Sequence, residues 1–265
     1  MSKIKRTALI TGASSGIGAA YSDRLAARGH DLILVARRRD RLEELAEHLR
    51  SIHDIEVEVV LAELSDQQDL ATVEAMIAKR PDIEVLVNCA GLGALGLGVS
   101  VDQGSVDTLV KVNILALTQL SLAAARAFVE RKRGTIINIG SIIGLMPLPG
   151  AASYGASKAY VLHFSRALQA ELASSNVTVQ VVMPGMVRSE FFGGKPTPFP
   201  EHLFMSAETL VDSALHALDQ SELICFPTLH DPDAWAGFDQ ARGHLAKELM
   251  QNGVPAERYR QALAV

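Results

Sequence analysis

The sequence predicts an α/β fold: one doubly wound domain with a mostly parallel, seven-stranded sheet and helices on both faces. Three observations support it. Short apolar runs alternate with longer helical patterns almost to the end of the chain. The runs are apolar nearly throughout, not at every second position, as in strands whose two faces are both buried. Each run is separated from the next by enough chain for a crossover helix, and right-handed crossovers wind such units into a single parallel sheet.

The first strand is expected from Thr7 to Ile10, with a helix from Gly16 to Arg28. Asp31 to Ala36 forms the second strand, and an amphipathic helix runs from about Asp40 to Ile52. Val57 to Ala62 is the third strand, followed by a helix from Asp66 to Lys79. Val85 to Asn88 is the fourth, and one long helical region covers Val101 to Arg133. Gly134 to Gly140 is the fifth, before a helix rich in Ala and Leu from Tyr154 to Ser174. Val177 to Val182 and Leu223 to Phe226 complete the seven. With no internal repeat, low-complexity tract or linker, residues 1–265 read as a single domain. An extension from about 230 to 265 opens on Asp231-Pro232-Asp233 and predicts one or two packed helices, with Trp235 and Phe238 docked on the domain or on a partner subunit.

Composition narrows the function classes. Apolar residues make up 48% of the 265 residues and charged residues 21%, enough apolar content for a sizeable core and too little charge for disorder. A net charge of −5 disfavours wholesale binding to nucleic acid or anionic membranes. No uninterrupted apolar run has the length of a membrane span, and no apolar run of signal-peptide length follows the basic residues Lys3, Lys5 and Arg6. Cys89 and Cys225 make no disulfide framework and suit a reducing compartment, so the expected location is cytoplasmic. No two histidines have metal-ligand spacing, and no metal site is expected.

The first predicted strand runs into Thr11-Gly12-Ala13-Ser14-Ser15-Gly16-Ile17-Gly18. Glycines here permit a tight turn, close backbone approach to a pyrophosphate and close packing of helix on strand. The free N–H groups at the start of the following helix then face the phosphates. The alternative is an ordinary strand-to-helix turn. Position after a strand, before a helix and at the head of a βαβ unit favours the nucleotide reading. A carboxylate about 20 residues further on usually holds the adenosine ribose of a dinucleotide. Here the second strand ends at Ala36, and Arg37, Arg38 and Arg39 follow. A planar guanidinium suits a phosphate, so Arg37 and Arg38 point to NADP(H) over NAD(H), with the 2′-phosphate as their ligand. The competing readings are a solvated charge cluster at a helix start, balanced by Asp40, and a nucleic-acid patch that one short cluster on an acidic chain supports poorly.

Tyr154 and Lys158 lie four apart on a predicted helix, so the ammonium can lie beside the phenol, and Ser141 precedes the tyrosine. A neighbouring cation favours the phenolate, which suits a tyrosine that passes protons to and from an alcohol or carbonyl oxygen. In order along the chain stand Thr-Gly-x-x-x-Gly-x-Gly at 11–18, Asn-x-Ala-Gly at 88–91, Asn113, Ser141, Tyr154-x-x-x-Lys158 and Pro184-Gly185. This set resembles the short-chain dehydrogenase/reductase family, in its compact branch, over about residues 5–228.

The resemblance implies a Rossmann-type domain and hydride transfer between nicotinamide and a carbonyl or alcohol carbon. Tyr154 would act as general acid and base, Lys158 would lower its pKa and bind the nicotinamide ribose, and Ser141 would bond the substrate oxygen. Asn113 would support a water relay to Lys158. Gly12, Ser14, Ser15, Gly16, Ile17 and Gly18 would hold the pyrophosphate, and Glu63-Leu64 would lie beside the adenine. Asn88, Ala90 and Gly91 would contribute through the fourth strand's end, with Cys89 a small buried filler in place of the family's second Asn. Pro184, Gly185, Val187 and Ser189 would lie against the nicotinamide.

Phe191, Phe192 and other apolar residues among prolines and glycines suggest a substrate lid over about 186–218, or a face packed on another subunit. The expected partners are a moderately apolar carbonyl or alcohol and, by resemblance, a second or several copies of the chain in a homodimer or homotetramer. The alternative function is a non-catalytic NADP(H)-binding regulatory or scaffold protein.

Overall fold

The computed structural model describes residues 6–192, 199–250 and 253–260, with the side chain of Phe192 outside that description. Two compact units form, Met1–Pro227 and Thr228–Val265.

The first unit holds the sheet. Its strands are β1 (Thr7–Thr11), β2 (Asp31–Ala36), β3 (Val57–Leu61), β4 (Ile83–Asn88), β5 (Gly134–Ile139) and β6 (Val177–Val182). Two residue pairs, β7 (Met186–Val187) and β8 (Phe204–Met205), pair with each other, and β9 (Ile224–Cys225) joins the main sheet. The order is β3-β2-β1-β4-β5-β6-β9, parallel throughout. The seven strands lie where the apolar runs predicted them. Three crossover helices are α1 (Gly16–Ala27), α2 (Arg39–Ile52) and α3 (Gln67–Lys79).

Strand alternation divides the core in two. Ala8 and Ile10 of β1 point to one face with Leu32 and Leu34 of β2, and Leu9 points to the other with Ile33 and Val35. On the first face they meet Tyr21 and Leu25 of α1 and Leu42 and Leu49 of α2. The second face is covered by Leu70, Val73 and Ile77 of α3 together with Leu120, Ala124 and Phe128.

These last three belong to a region that departs from the expected single helix. Gln103–Val110 (α4) is α-helical, Lys111–Ala116 is a π-helical stretch, and Leu117–Arg131 (α5) resumes the α-helix. The widened turn carries Asn113, 1% exposed, whose amide bonds the backbone of Leu92 in both directions. Single π turns inside helices occur mostly where a side chain has been placed for a purpose. By composition Gln103–Arg131 is long and apolar enough to cross a membrane, but most of it is buried inside the fold, as in any core helix.

A second departure concerns the expected lid. Residues 207–219 form α7 (Ala207–Asp219), and Leu210, Val211, Ala214 and Leu215 pack into the first core face. The apolar positions recur at helical spacing, so this part of 186–218 is core helix and not lid. Residues 193–198 of that range lie outside the described residues.

The second unit contains α8 (Pro232–Leu249) and α9 (Glu257–Arg260). Asp231 caps α8 by accepting from the Asp233 N–H at 3.0 Å, and Pro232 sits at the first helical position. Trp235 and Phe238 pack on each other with ring centres 5.6 Å apart. Neither helix contains a residue buried within this chain.

Candidate active site

The sheet reverses its winding between β1 and β4, and the carboxyl ends of those strands open a cleft of about 390 Å³. Crevices at such switch points are where parallel sheets bind ligands. Thr11 ties the two strand ends together. Its hydroxyl accepts from the N–H groups of Cys89 and Ala90, both at 3.1 Å, and donates to the Val87 carbonyl.

The glycine turn forms one wall. Gly12 has φ +69° and lies so close to Ala90 that a Cβ would stand 2.9 Å from its backbone. At Gly18 a Cβ would stand 2.3 Å from the Gly12 carbonyl oxygen. The turn is therefore compact only because both positions lack a side chain. Ser15 precedes α1 without capping it, so no side chain takes the first-turn N–H groups that attract an anion. Ser14, Ser15, Gly16 and Ile17 line the cleft, and Gly18 packs behind them.

The two arginines diverge. Arg38 donates to the hydroxyls of Ser14 and Ser15 at 3.0 and 2.7 Å and to Glu190 at 2.5 Å. Arg37 pairs with Glu63 at 3.0 Å, which helps hold the Glu63 carboxyl below its ordinary pKa against the opposing effect of burial. Arg37, Arg38, Glu63 and Leu64 all line the cleft. Arg38, not a residue of the turn, thus brings positive charge to the two serines.

On the β4 side, Ala90 and Gly91 line the cleft, while Asn88 does not. Asn88 is buried and donates to Ser121 and Asn138, both at 2.9 Å, and Asn138 donates onward to Ser165. Its amide ties β4 and β5 to the helices behind them, and this side chain faces away from the cleft. Cys89, expected as a buried filler, is half-buried and lines the cleft, and burial pushes its thiol up to about 12.

Ser141, Tyr154, Lys158 and Asn113 converge near the end of β5. A short turn at Ile142–Leu145 follows Ser141, and Gly144 lets it press on Ala152–Glu171 (α6), where a Cβ would stand 2.7 Å from the backbone of Lys158 and Ala159. Ser141 hydrogen-bonds the Tyr154 phenol, donates to the Pro184 carbonyl at 3.3 Å and is 8% exposed. Lys158 donates to the Ile139 carbonyl at 2.8 Å, with its ammonium 5.8 Å from the centre of the Tyr154 ring. Asn113 donates to Ser157 at 3.1 Å, next to Lys158 in the chain. Four residues from three elements are thus brought together.

Their electrostatics differ from the expectation. Burial pushes the Tyr154 phenol up to about 12, and the Ser141 hydrogen bond opposes it. Lys158 does not lower that value in this state; burial brings its own pKa down to about 8.

Pro184 and Gly185 brace the Ser141 turn, and Val187 is buried beneath the cleft. Ser189 lines the cleft and approaches Gly16. Phe191 tilts over Tyr154 with ring centres 5.2 Å apart and fills the space beside Gly93, and the Phe192 side chain lies outside the described residues. Sequence reasoning missed Glu190 and Arg41, which meet here as an ion pair at 3.5 Å. Their separation along the chain leaves no local signal.

The chain matches known proteins over the region that holds these residues. A model of the short chain dehydrogenase family matches residues 6–197. A short-chain dehydrogenase from Sphingobium yanoikuyae, solved in complex with NADPH, is 42% identical, with a TM-score of 0.92 over 96% of this chain and 100% of that one. A bulky-bulky ketone specific alcohol dehydrogenase from Comamonas testosteroni is 41% identical, with a TM-score of 0.89 over 97% of this chain and 100% of that one. A very-long-chain 3-oxoacyl-CoA reductase from Anas platyrhynchos is 32% identical over 201 residues, 72% of this chain and 64% of the relative's length. The chain belongs to the short-chain dehydrogenase family.

Proposed function

We propose that this chain is an NADP(H)-dependent reductase of ketones that carry bulky apolar groups, with Tyr154 as the proton donor. The observation that supports it most is the convergence of Tyr154, Ser141 and Lys158 at one edge of the glycine-walled cleft. The absence of side chains at Gly12 and Gly18 lets the turn pack tightly on its own backbone and on Ala90, which suits close approach to a pyrophosphate, and Arg38 and Arg41 offer guanidinium groups where a 2′-phosphate would lie. The related Sphingobium protein binds NADPH in its solved structure.

When bound, the nicotinamide supplies the hydride for the carbonyl carbon. The chain's own residues handle the oxygen. Ser141 offers a hydroxyl that orients the carbonyl, and Tyr154 delivers the proton the developing alkoxide needs. A phenol held at about 12 keeps its proton at neutral pH, which favours reduction over oxidation. Lys158, anchored on Ile139, stands beside the phenol to restore its proton through the hydrogen-bonded surroundings of Asn113. Binding alone requires none of these groups, which disfavours a non-catalytic role.

The substrate class follows from the rim. Leu95, Leu97, Ile142, Met146, Leu148 and Phe191 are exposed apolar side chains on the loops flanking this edge, and the Gly96 N–H joins two of those loops by bonding the Gly150 carbonyl. Exposed apolar clusters at a cleft mark a surface that waits for an apolar ligand. The Comamonas relative, described as specific for bulky-bulky ketones, fits the same class. NADPH consumption with a ketone series tests the reading. Ketones with two large apolar substituents should turn over faster than short methyl ketones, and tight NADPH binding without turnover of any ketone or aldehyde would refute it.

A further inference from the structure

Arg38 and Arg41 both hold the carboxylate of Glu190, at 2.5 and 3.5 Å. Glu190 is 152 residues from Arg38 along the chain and lines the cleft. Arg38 simultaneously donates to Ser14 and Ser15, so its guanidinium is oriented towards the glycine turn, where a phosphorylated adenosine would lie on the proposed reading. The next residue, Phe191, tilts over Tyr154 and crowds Gly93. Glu190 and Phe191 share one short helical turn, Glu190–Phe192, so they move together. The Phe191 N–H is held in that turn by the Ser189 hydroxyl at 3.3 Å.

We infer that Glu190 is a specificity-determining residue: its carboxylate occupies the guanidinium groups that a 2′-phosphate needs, and displacement by that phosphate releases the Phe191 segment from Tyr154. The inference rests on the NADP(H) reading and adds a coupling between the two ends of the cleft. A phosphate dianion offers more acceptor oxygens than a carboxylate and binds a guanidinium fork at least as well, so it can win the exchange. The exchange is easy because the pair is open to water, with the Arg38 and Glu190 side chains 44% and 51% exposed. NADH carries a ribose hydroxyl at this position and gives Glu190 no reason to leave. A ligand can shift such an equilibrium only through contacts that differ between the two states, and the 2′-phosphate is the group that differs.

The test uses the full chain, wild type and Glu190→Gln. Calorimetric titration should show NADPH binding roughly fivefold tighter to the variant, with NADH within about twofold of wild type. Hydrogen exchange reads the coupling without turnover. In wild type, adenosine 2′,5′-bisphosphate, which has no nicotinamide to touch Tyr154, should speed exchange at the Phe191 amide, and adenosine 5′-monophosphate should not. In the variant the amide should exchange fast before any ligand is added. Bound bisphosphate with unchanged exchange at Phe191, or equal gains for NADPH and NADH in the variant, overturns the inference alone. Wild type that binds NADPH no better than NADH overturns the cofactor reading, and the inference with it.

Discussion

The Lys158 ammonium stands 5.8 Å from the centre of the Tyr154 ring while its hydrogen bond goes to the Ile139 carbonyl. The two groups share a buried corner, and burial acts on both in the direction of neutrality. The phenol is pushed up to about 12 and the ammonium down to about 8. Without ligand, then, the pair is an uncharged acid beside a cation held at a cost. A bound oxidised nicotinamide would add positive charge and favour the phenolate, so the phenol would give up its proton more readily with the cleft filled.

The rate of ketone reduction should follow from that. A donor with a high pKa stays protonated, so kcat for reduction is expected to hold a plateau from pH 6 to about 8 and to fall only on the alkaline side. Alcohol oxidation needs the phenolate and should rise with pH over the same range. Steady-state profiles in both directions check this. A reduction rate that climbs from pH 6 to 8 would show that Tyr154 is not the donor.

Tyr154→Phe keeps the ring that packs against Phe191 and removes the hydroxyl that meets Ser141. Turnover should drop by a factor on the order of 10³ or more, within the range of a lost general acid, while NADPH affinity changes little. Single-turnover rates and binding titrations separate the two. Wild-type turnover in the variant would remove Tyr154 from its proposed role.

Lys158 should be a residue that costs stability. Its pKa in the fold, about 8, lies below the ordinary 10.5, so the fold disfavours the charged form. Below pH 8 both folded and unfolded chains carry the proton, and the cost of the buried charge is fully present. Between pH 8 and 10.5 the folded chain gives up its proton first, and stability rises with pH. The drop corresponds to about 3 kcal/mol at neutral pH, part of which Lys158→Met recovers after losing the bond to Ile139. The variant is expected to melt several degrees above wild type at pH 7, with the gap closing near pH 10, and to be inactive. Melting curves at both pH values decide it, and a less stable variant at pH 7 would contradict the argument.

Arg38 and Arg37 should separate on mutation. Arg38 faces Ser14, Ser15 and Glu190, whereas Arg37 is paired with Glu63. Arg38→Ala should weaken NADPH binding about tenfold or more, as expected for a lost charge-assisted phosphate contact, and leave NADH nearly unchanged. Arg37→Ala should have the smaller effect on NADPH. Equal losses for both cofactors in Arg38→Ala would mean that this side chain does not read the phosphate.

Much of this was legible in the sequence because local patterns carry it. All-apolar runs such as Leu32–Ala36 announce strands buried on both faces, and Gly12 and Gly18 announce a turn with no space for a Cβ. Side-chain direction is another matter. Asn88 sits where the family pattern places it, yet it faces Asn138 and Ser121 because a buried amide at a strand end bonds whatever polar groups lie behind the sheet. The π turn at Lys111–Ala116 has no sequence signature, since the same apolar residues suit an unbroken helix. The pairing of Glu190 with Arg38 depends on two loops meeting across 152 residues, and only the fold brings them together.

Gly18 and Gly29 offer a matched pair of substitutions that test whether the glycine turn is held by space or by backbone freedom. At Gly18 a Cβ would stand 2.3 Å from the Gly12 carbonyl oxygen and 2.8 Å from its carbon, both rigid backbone atoms. Gly29 has φ +80°, where a side chain meets nothing within 4 Å but L residues are strained. Gly29→Ala should therefore cost only the strain, about 1 kcal/mol, and leave cofactor binding intact. Gly18→Ala must move the turn itself, so it should cost more stability and weaken NADPH and NADH alike, because the pyrophosphate cradle is common to both. Thermal melts and titrations with the two cofactors make the comparison. If Gly18→Ala binds either cofactor as well as Gly29→Ala does, the turn tolerates a Cβ and its glycines are not there to bring backbone close to a phosphate.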